Sequence, residues 1–409
     1  MVRTRIAPSP TGIPHIGTTR TALFNYLFAK HHNGEFLLRI EDTDRARFVV
    51  SAQKAIIEIL SWLGLQWDGE VTVQSKRLSL YIEHAEILKK KNLAYEDNGA
   101  LRFRMPKNGQ TSWPDGRKTI TFENKTQEDF IIIKSDGFPT YNFANVIDDH
   151  AMNITHVIRG EEFISSTPKH IQLYKAFGWK HPIFVHPPVV LGADHQKLSK
   201  RHGAKSALEY RDGGYLKEAL LNYMALLGWS PGGDREIMSI SEMILLFDIK
   251  DINVSSPIFD LQKLTWMNQQ YIQIKSDKEL KVLIKNFYPK AQELAGEILD
   301  KLMPLVKTRM ATLKDFIELT GYFFAPPEIT FRNEKENHAA NELYSSFNKI
   351  NVWDKDAIFA VFKLVMKKYE IRMPVLYYIC TGSEKGLPLP ESLEILGKKE
   401  TIDRLGKLI

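Results

Sequence analysis

Two hydrophobic periods alternate over the first 75 residues, and that alternation restricts the fold more than any other feature of the chain. Val2, Thr4 and Ile6 interleave with Arg3 and Arg5, as in a strand whose two arginines share one face. Thr18 to His32 then reads as a helix, Phe36 to Ile40 as a strand and Ser51 to Leu63 as a second helix. Strands that alternate with helices need crossover connections, so the pattern predicts a parallel sheet with helices packed on its faces. Between the opening strand and the first helix, Pro8, Pro10 and Pro14 narrow φ and delay the helix, while Gly12 and Gly17 admit a ligand close to the backbone. The start of that helix is therefore available to an anion.

A mixed stretch follows from about Ser75 to Lys134, with alternating segments at Leu101 to Met105 and Thr119 to Glu123, and it reads as a small insertion. The parallel pattern is expected to resume at Phe130 to Ile133 and to continue through Ile154 to Ile158 and Ile183 to Val185. From about Gly203 helical periodicity dominates, with turn signals at Pro231-Gly-Gly233 and Ser255-Ser-Pro257. At 409 residues the chain exceeds one compact core, and two to four domains are expected. No apolar run reaches the length needed to span a bilayer and the N-terminus enters a charged strand, so the expected location is the cytoplasm, without membrane attachment. The single cysteine, Cys380, excludes an intrachain disulfide and a multi-cysteine zinc site and reads as a small buried side chain. A net charge of +6 favours a polyanionic partner, although runs such as Lys89-Lys-Lys91 and Lys367-Lys368 also suit a solvated face.

Two short motifs carry the chemistry. His15-Ile-Gly-Thr18 opens the first helix, and Lys197-Leu-Ser-Lys-Arg201 lies about 180 residues later. They resemble the "HIGH" and "KMSKS" signatures of the class I aminoacyl-tRNA synthetases, both degenerate in the manner of the glutamyl enzymes. Ala7-Pro-Ser-Pro-Thr-Gly12, Leu38-Arg-Ile-Glu-Asp-Thr-Asp-Arg45, Tyr141-Asn-Phe-Ala-Asn145, His156-Val-Ile-Arg-Gly-Glu161 and Leu198-Ser-Lys-Arg-His-Gly203 resemble glutamyl-tRNA synthetases in the same order. The likeness covers nearly the whole chain. There is no Walker A sequence and no G-x-G-x-x-G fingerprint, which argues against a P-loop ATPase or a dinucleotide oxidoreductase.

The resemblance implies an α/β fold: a Rossmann-type parallel-sheet catalytic domain split by a small α+β insertion and followed by an all-α anticodon-binding region. Its expected divisions are 1–75 and 135–195 for the halves of the catalytic domain and 76–134 for the acceptor-end insertion. A stem-contact region at 196–285 and the helical region at 286–409 complete it. The implied reaction is activation of L-glutamate by ATP with Mg2+, then transfer to tRNA-Glu, with tRNA-Gln left open as a second acceptor. Activation needs no protein nucleophile, since the substrate carboxylate attacks the α-phosphate; the protein aligns the reactants and supplies cations. His15, Lys197 and Lys200 are the implied catalytic residues. Thr11, Gly17, Thr18, Leu198, Ser199 and Arg201 join them around ATP.

Glutamate carries two carboxylates and one ammonium, so its pocket calls for guanidinium forks and one acid. By resemblance Arg5 and Arg159 face the carboxylates and Glu41 the ammonium, with Ala7, Ser9, Tyr141 and Asn145 completing the pocket. An ion pair between adjacent strands is the competing reading for Arg5 and Glu41. Family members usually carry several dozen more residues, often with zinc ligands, where only Glu-Asp-Asn-Gly-Ala separates Tyr95 from Leu101, so no zinc is expected. Asp148-Asp149-His150 with His156 offers a metal-site alternative, set against an ordinary family segment. A monomer is implied. Related readings are a glutaminyl or tRNA-base-glutamylating enzyme and an inactive tRNA-binding paralogue.

Overall fold

The computed structural model describes residues 1–116, 118–198 and 205–409, which divide into two compact units. The first unit comprises Met1–Asp212 and Lys217–Leu264. It opens with β1 (Arg3–Ile6), α1 (Ile16–His31), β2 (Glu35–Ile40), α2 (Val50–Leu63) and β3 (Thr72–Val73), and the three strands are parallel in the order β1-β2-β3. Helix α2 buries Ala52, Ala55, Ile56, Ile59, Leu60 and Leu63, one amphipathic stripe, and Gly64 ends it in the left-handed region at φ 74°. Helix α1 buries nearly its whole circumference, including the polar Thr19, Arg20 and Asn25. Asn25 shows how a polar residue survives there: its side-chain NH2 donates to the carbonyls of Thr21 and Ile158, and its backbone carbonyl accepts from the Thr4 hydroxyl.

The chain continues through α3 (Leu78–Lys90), β4 (Ala94–Asp97), β5 (Ala100–Phe103), β6 (Gln110–Asp115), β7 (Lys118–Glu123), β8 (Phe130–Ile133), α4 (Tyr141–Ala151), β9 (His156–Ile158), α5 (Thr167–Phe177) and β10 (Ile183–Val185). Two expectations change here. β8 does not resume the parallel sheet; it pairs antiparallel with β5 in a separate sheet ordered β4-β5-β8. An apolar run of four residues fits a buried strand of either direction, so hydropathy could not distinguish them. β6, which the sequence reading passed over, joins a sheet ordered β7-β6-β10-β9, with β6 parallel to β10 and antiparallel to β7.

β9 lies alongside β1, where the Thr155 N–H donates to the Arg3 carbonyl at 3.0 Å and the Arg3 N–H to the Thr155 hydroxyl at 2.9 Å. The chain thus builds outward from β1 in one direction through β2 and in the other through β9. Such a reversal opens a crevice at the carboxyl ends of the strands. Helices α6 (Ala207–Asp212), α7 (Lys217–Leu226) and α8 (Ile240–Leu246) complete this unit, and α7 and α8 cover the face of α1 turned from the sheet. Phe24 on α1 meets Phe247, just after α8, with ring centroids 5.2 Å apart. Among the described residues no helix is long and apolar enough to cross a membrane.

The second unit comprises Gly213–Leu216 and Thr265–Ile409 and is helical throughout its described elements. α9 (Leu261–Ile274) leads into α10 (Asp277–Phe287), α11 (Gly296–Lys307), α12 (Asp315–Phe324), α13 (Glu334–Asn348), α14 (Lys355–Tyr369), α15 (Met373–Thr381), α16 (Leu389–Leu396) and α17 (Lys398–Gly406). Side-chain caps set several starts: Ser276 and Glu279 form a reciprocal capping box on α10, and Asn333 and Asp354 cap α13 and α14. The expected division after 285 falls inside α10. Leu343, Phe347, Ile358, Phe362, Val365, Leu376 and Leu393 pack into one core with Cys380. Burial pushes the Cys380 thiol up to about 12, so it stays protonated and inert.

Candidate active site

A cavity of about 720 Å³ opens at the carboxyl ends of β1, β2 and β9. It is lined by Arg5, Ala7, Ser9, Thr11, His15, Gly17, Thr18, Glu41, Tyr141, Asn145, Arg159, Lys197 and Leu198. The fold accounts for this convergence. Ala7 follows the last residue of β1, Glu41 the last of β2 and Arg159 the last of β9, so parallel strands deliver all three to one rim. Ser199, Lys200 and Arg201, expected at the nucleotide, lie outside the described residues.

One side of the cavity is the start of α1. His15 is the N-cap residue, in an extended conformation, and its Nδ1 accepts the Gly17 N–H at 3.0 Å. An Nδ1 that accepts carries no proton, so the neutral ring holds its proton on Nε2. The first turn of α1 contains no acidic residue, which leaves the positive end of the helix dipole uncompensated. Gly17 is required by His15 itself: an added methyl would stand 2.9 Å from Cε1 and 3.0 Å from Nδ1 of that ring. Gly17→Ala is therefore expected to break the cap, at about 1 kcal/mol, and to raise the KM for ATP by about tenfold. An unchanged KM for ATP in a fully folded variant would show that the ring position does not matter to the nucleotide.

Lys197 stands across the cavity. Its Nζ lies 3.2 Å from Glu162 Oε1 with both side chains about half exposed, and the Leu198 N–H donates to Val190 at 2.8 Å. Glu162 and Arg20 also line the cavity, and sequence reasoning singled out neither. Arg20 is buried, donates to the carbonyls of Leu227 and Pro188 at 2.8 and 2.5 Å, and is lowered by burial to about 10.

The other side is a network of buried charge. The Arg5 guanidinium forks onto Asp149, with Nε to Oδ1 at 3.0 Å and Nη2 to Oδ2 at 3.3 Å. Arg39, fully buried at the end of β2, joins Asp149 at 2.6 Å and Glu41 at 2.9 Å. The competing reading of an Arg5–Glu41 pair is thus replaced by two pairs with other partners. Asp148 accepts from Gln74, Arg77 and Tyr81, so both aspartates serve as ion-pair acceptors. Among the described residues no group of three or more His, Cys, Asp or Glu side chains is arranged to hold a metal. The Asp149 carboxyl is held below its ordinary range because the charges of Arg5 and Arg39 outweigh its burial. Glu41 is pushed up by burial, which Arg39 and Arg5 only partly offset.

Two features leave this side incomplete without a ligand. Among the described residues, the hydrogen bonds to Glu41, from Arg39 and from Asn145, go to Oε1, which leaves Oε2 for a donor on a ligand. Arg159 is 5% exposed and donates to Tyr141 Oη, His170 Nδ1, Thr167 Oγ1 and His186 Nε2. Every one of these acceptors is neutral: burial raises the Tyr141 hydroxyl and drives His170 well below its ordinary range. Arg159 is therefore a buried cation without a carboxylate partner among the described residues. An anion entering the cavity relieves that cost. Phe163 adds an aromatic face, 5.5 Å below the Arg159 guanidinium.

Sequence reasoning missed Arg39, Asp115, Thr167, His170 and His186. Arg39 sits inside a quoted motif, and Asp149 lies in a run that reads as an ordinary family segment or a metal site, neither of which points to an ion-pair acceptor. The others are scattered from β6 to β10 and carry no local signal.

Known proteins complete the description. Residues 1–100 and 96–266 match the family described as tRNA synthetases class I (E and Q), catalytic domain, and residues 278–409 match an anticodon binding domain. The chain is 38% identical to the glutamate–tRNA ligase of Chlamydia trachomatis serovar L2, across 99% of this chain and 92% of that protein. It is 39% identical, with the same coverage, to the glutamate–tRNA ligase of Chlamydophila psittaci. A crystal structure of a glutamate tRNA ligase from Elizabethkingia meningosepticum in complex with its amino acid superposes with a TM-score of 0.87 at 32% identity, covering 99% of this chain and 98% of that one.

Proposed function

Because the chain belongs to the glutamate–tRNA ligase family of class I tRNA synthetases, we propose that its cavity activates L-glutamate with ATP and passes the glutamyl group to tRNA-Glu. A glutamate carboxylate oxygen attacks the α-phosphorus of ATP and pyrophosphate leaves, giving glutamyl-adenylate. A ribose hydroxyl of the tRNA's terminal adenosine then attacks the glutamyl carbonyl and AMP leaves. The observation that carries the reading is the pairing of opposites on one wall: the Arg159 cation, with no carboxylate partner among the described residues, beside Glu41, whose Oε2 takes no donor from those residues. Arg159 and the Nη1 of Arg5 face the carboxylates, and Glu41 Oε2 takes the ammonium. Ala7, Ser9, Tyr141 and Asn145 shape the remainder.

The nucleotide occupies the other side. The start of α1, with Thr11, Gly17 and Thr18, receives it. His15 Nε2–H and the ammonium groups of Lys197 and Lys200 meet the charge that builds on the transferring phosphate and the departing pyrophosphate. Leu198, Ser199 and Arg201, from the same sequence motif, join them around ATP. Magnesium accompanies ATP, held mainly by phosphate oxygens and water, and no zinc is used. The helical region with the anticodon-domain match is assigned the choice of tRNA, and the segment 76–134 the acceptor end. Pyrophosphate exchange with glutamate, glutamine or aspartate, in the presence of tRNA, tests the amino-acid assignment. Exchange should be driven by glutamate; equal exchange with glutamine would remove Arg159 from the discrimination.

A further inference from the structure

Asp115 is the last residue of β6 and the one registered against β10, opposite Phe184. Its side chain is buried, and Oδ1 lies 2.7 Å from Nδ1 of His186, whose ring is also fully buried. On the far side of the ring, Nε2 accepts from Arg159 Nε at 3.2 Å. The same Nε2 lies 3.3 Å from the Thr167 hydroxyl, which accepts from Arg159 Nη2 at 2.8 Å. The three residues stand at the carboxyl ends of β6, β10 and β9, neighbouring strands of one sheet. Strand spacing therefore sets the span of the relay.

A guanidinium only donates, so the His186 nitrogen facing Arg159 must carry a lone pair. In a neutral imidazole the single proton is then on Nδ1, directed at the Asp115 carboxylate. The opposite tautomer sets N–H against N–H at Arg159 and lone pair against carboxylate at Asp115. His186 stays neutral because burial, helped by the charge of Arg159, holds it below its ordinary range against the pull of Asp115.

We propose that Asp115 is a positioning residue of the amino-acid site: by fixing His186 as the Nδ1–H tautomer, it keeps an acceptor on Arg159 Nε and aims the guanidinium at the substrate carboxylate. The proposal rests on the reading of Arg159 as a glutamate ligand. It also gives the segment 76–134 a role beyond the acceptor end, since a residue of that segment supports the amino-acid pocket.

The test compares Asp115→Ala and Asp115→Asn in the full-length protein by pyrophosphate exchange, with the His186 tautomer read from imidazole nitrogen resonances. Losing the anchor should raise the KM for glutamate about tenfold or more while the KM for ATP stays within about twofold, and Asn, whose Oδ1 still accepts, should recover to within about threefold of wild type. His186 should show the Nδ1–H form in the wild type and lose it in Asp115→Ala. Equal losses for both substrates, an Asn variant no better than Ala, or an Nε2–H tautomer in the wild type overturns the proposal. Should Asp115→Ala fail to fold, the wild-type tautomer and the Asn variant decide it. Failure of the glutamate reading looks different: wild-type protein shows no glutamate-dependent exchange, while the tautomer measurement still reports on the relay.

Discussion

Replacing Arg159 by Gln is expected to lower kcat/KM for glutamate on the order of 100-fold to 1000-fold, the equivalent of about 3–4 kcal/mol, and to leave the KM for ATP within about threefold. The size follows from burial without a charged partner. The guanidinium is satisfied by hydroxyls, imidazoles and a carbonyl, so its full charge is reserved for what enters the cavity. Gln keeps a polar group of similar reach but removes the charge and the fork. Separate titrations of glutamate and ATP in pyrophosphate exchange check the prediction. Matching losses for the two substrates would indicate a collapsed cavity and would contradict an amino-acid role for this residue. Arg5→Gln is a poorer probe, since Arg5 also neutralises Asp149 and its loss mixes binding with stability.

Asp149→Asn is expected to destabilise the first unit by about 3–5 kcal/mol, because it leaves Arg5 without its paired charge and Arg39 with fewer. In thermal unfolding that corresponds to a fall on the order of 10 °C in the midpoint of this unit. The pH dependence carries a sign. The native Asp149 carboxyl lies below its ordinary range, so its stabilisation is fully present above the unfolded value and is lost as pH falls through the native one. Wild-type protein should therefore lose stability on acidification below about pH 4, and part of that loss should be absent from Asp149→Asn. Identical acid limbs for the two proteins would contradict the network.

Much of the fold could be read from hydrophobic period. The opening βαβα pattern and the helices beyond 203 were legible because their apolar residues recur at two or near four positions. β6 was not, although its burial alternates cleanly: Thr111, Trp113 and Asp115 point inward, yet two of the three are polar, and Pro114 interrupts the strand. α1, read from the same period, is covered on two sides in the structure and has no marked polar face. In the site, the residues adjoining a motif could be named because the motif fixes them on a turn or a strand end. The supporting charges could not. Arg39 is fully buried, whereas periodicity assumes that a charged residue on a strand faces water. The chain from Asp115 through His186 to Arg159 is assembled by strand order, which no local pattern encodes.

Whether this cavity makes glutamyl-tRNA is decided by ATP-dependent transfer of radiolabelled glutamate to purified tRNA, with tRNA-Gln and labelled glutamine as parallel reactions. The expected result is glutamate esterified to the terminal adenosine of tRNA-Glu, one AMP and one pyrophosphate released per acylated tRNA, and no esterified glutamine. Acylation with glutamine in preference to glutamate, or no acylation by folded protein that binds ATP, would contradict it.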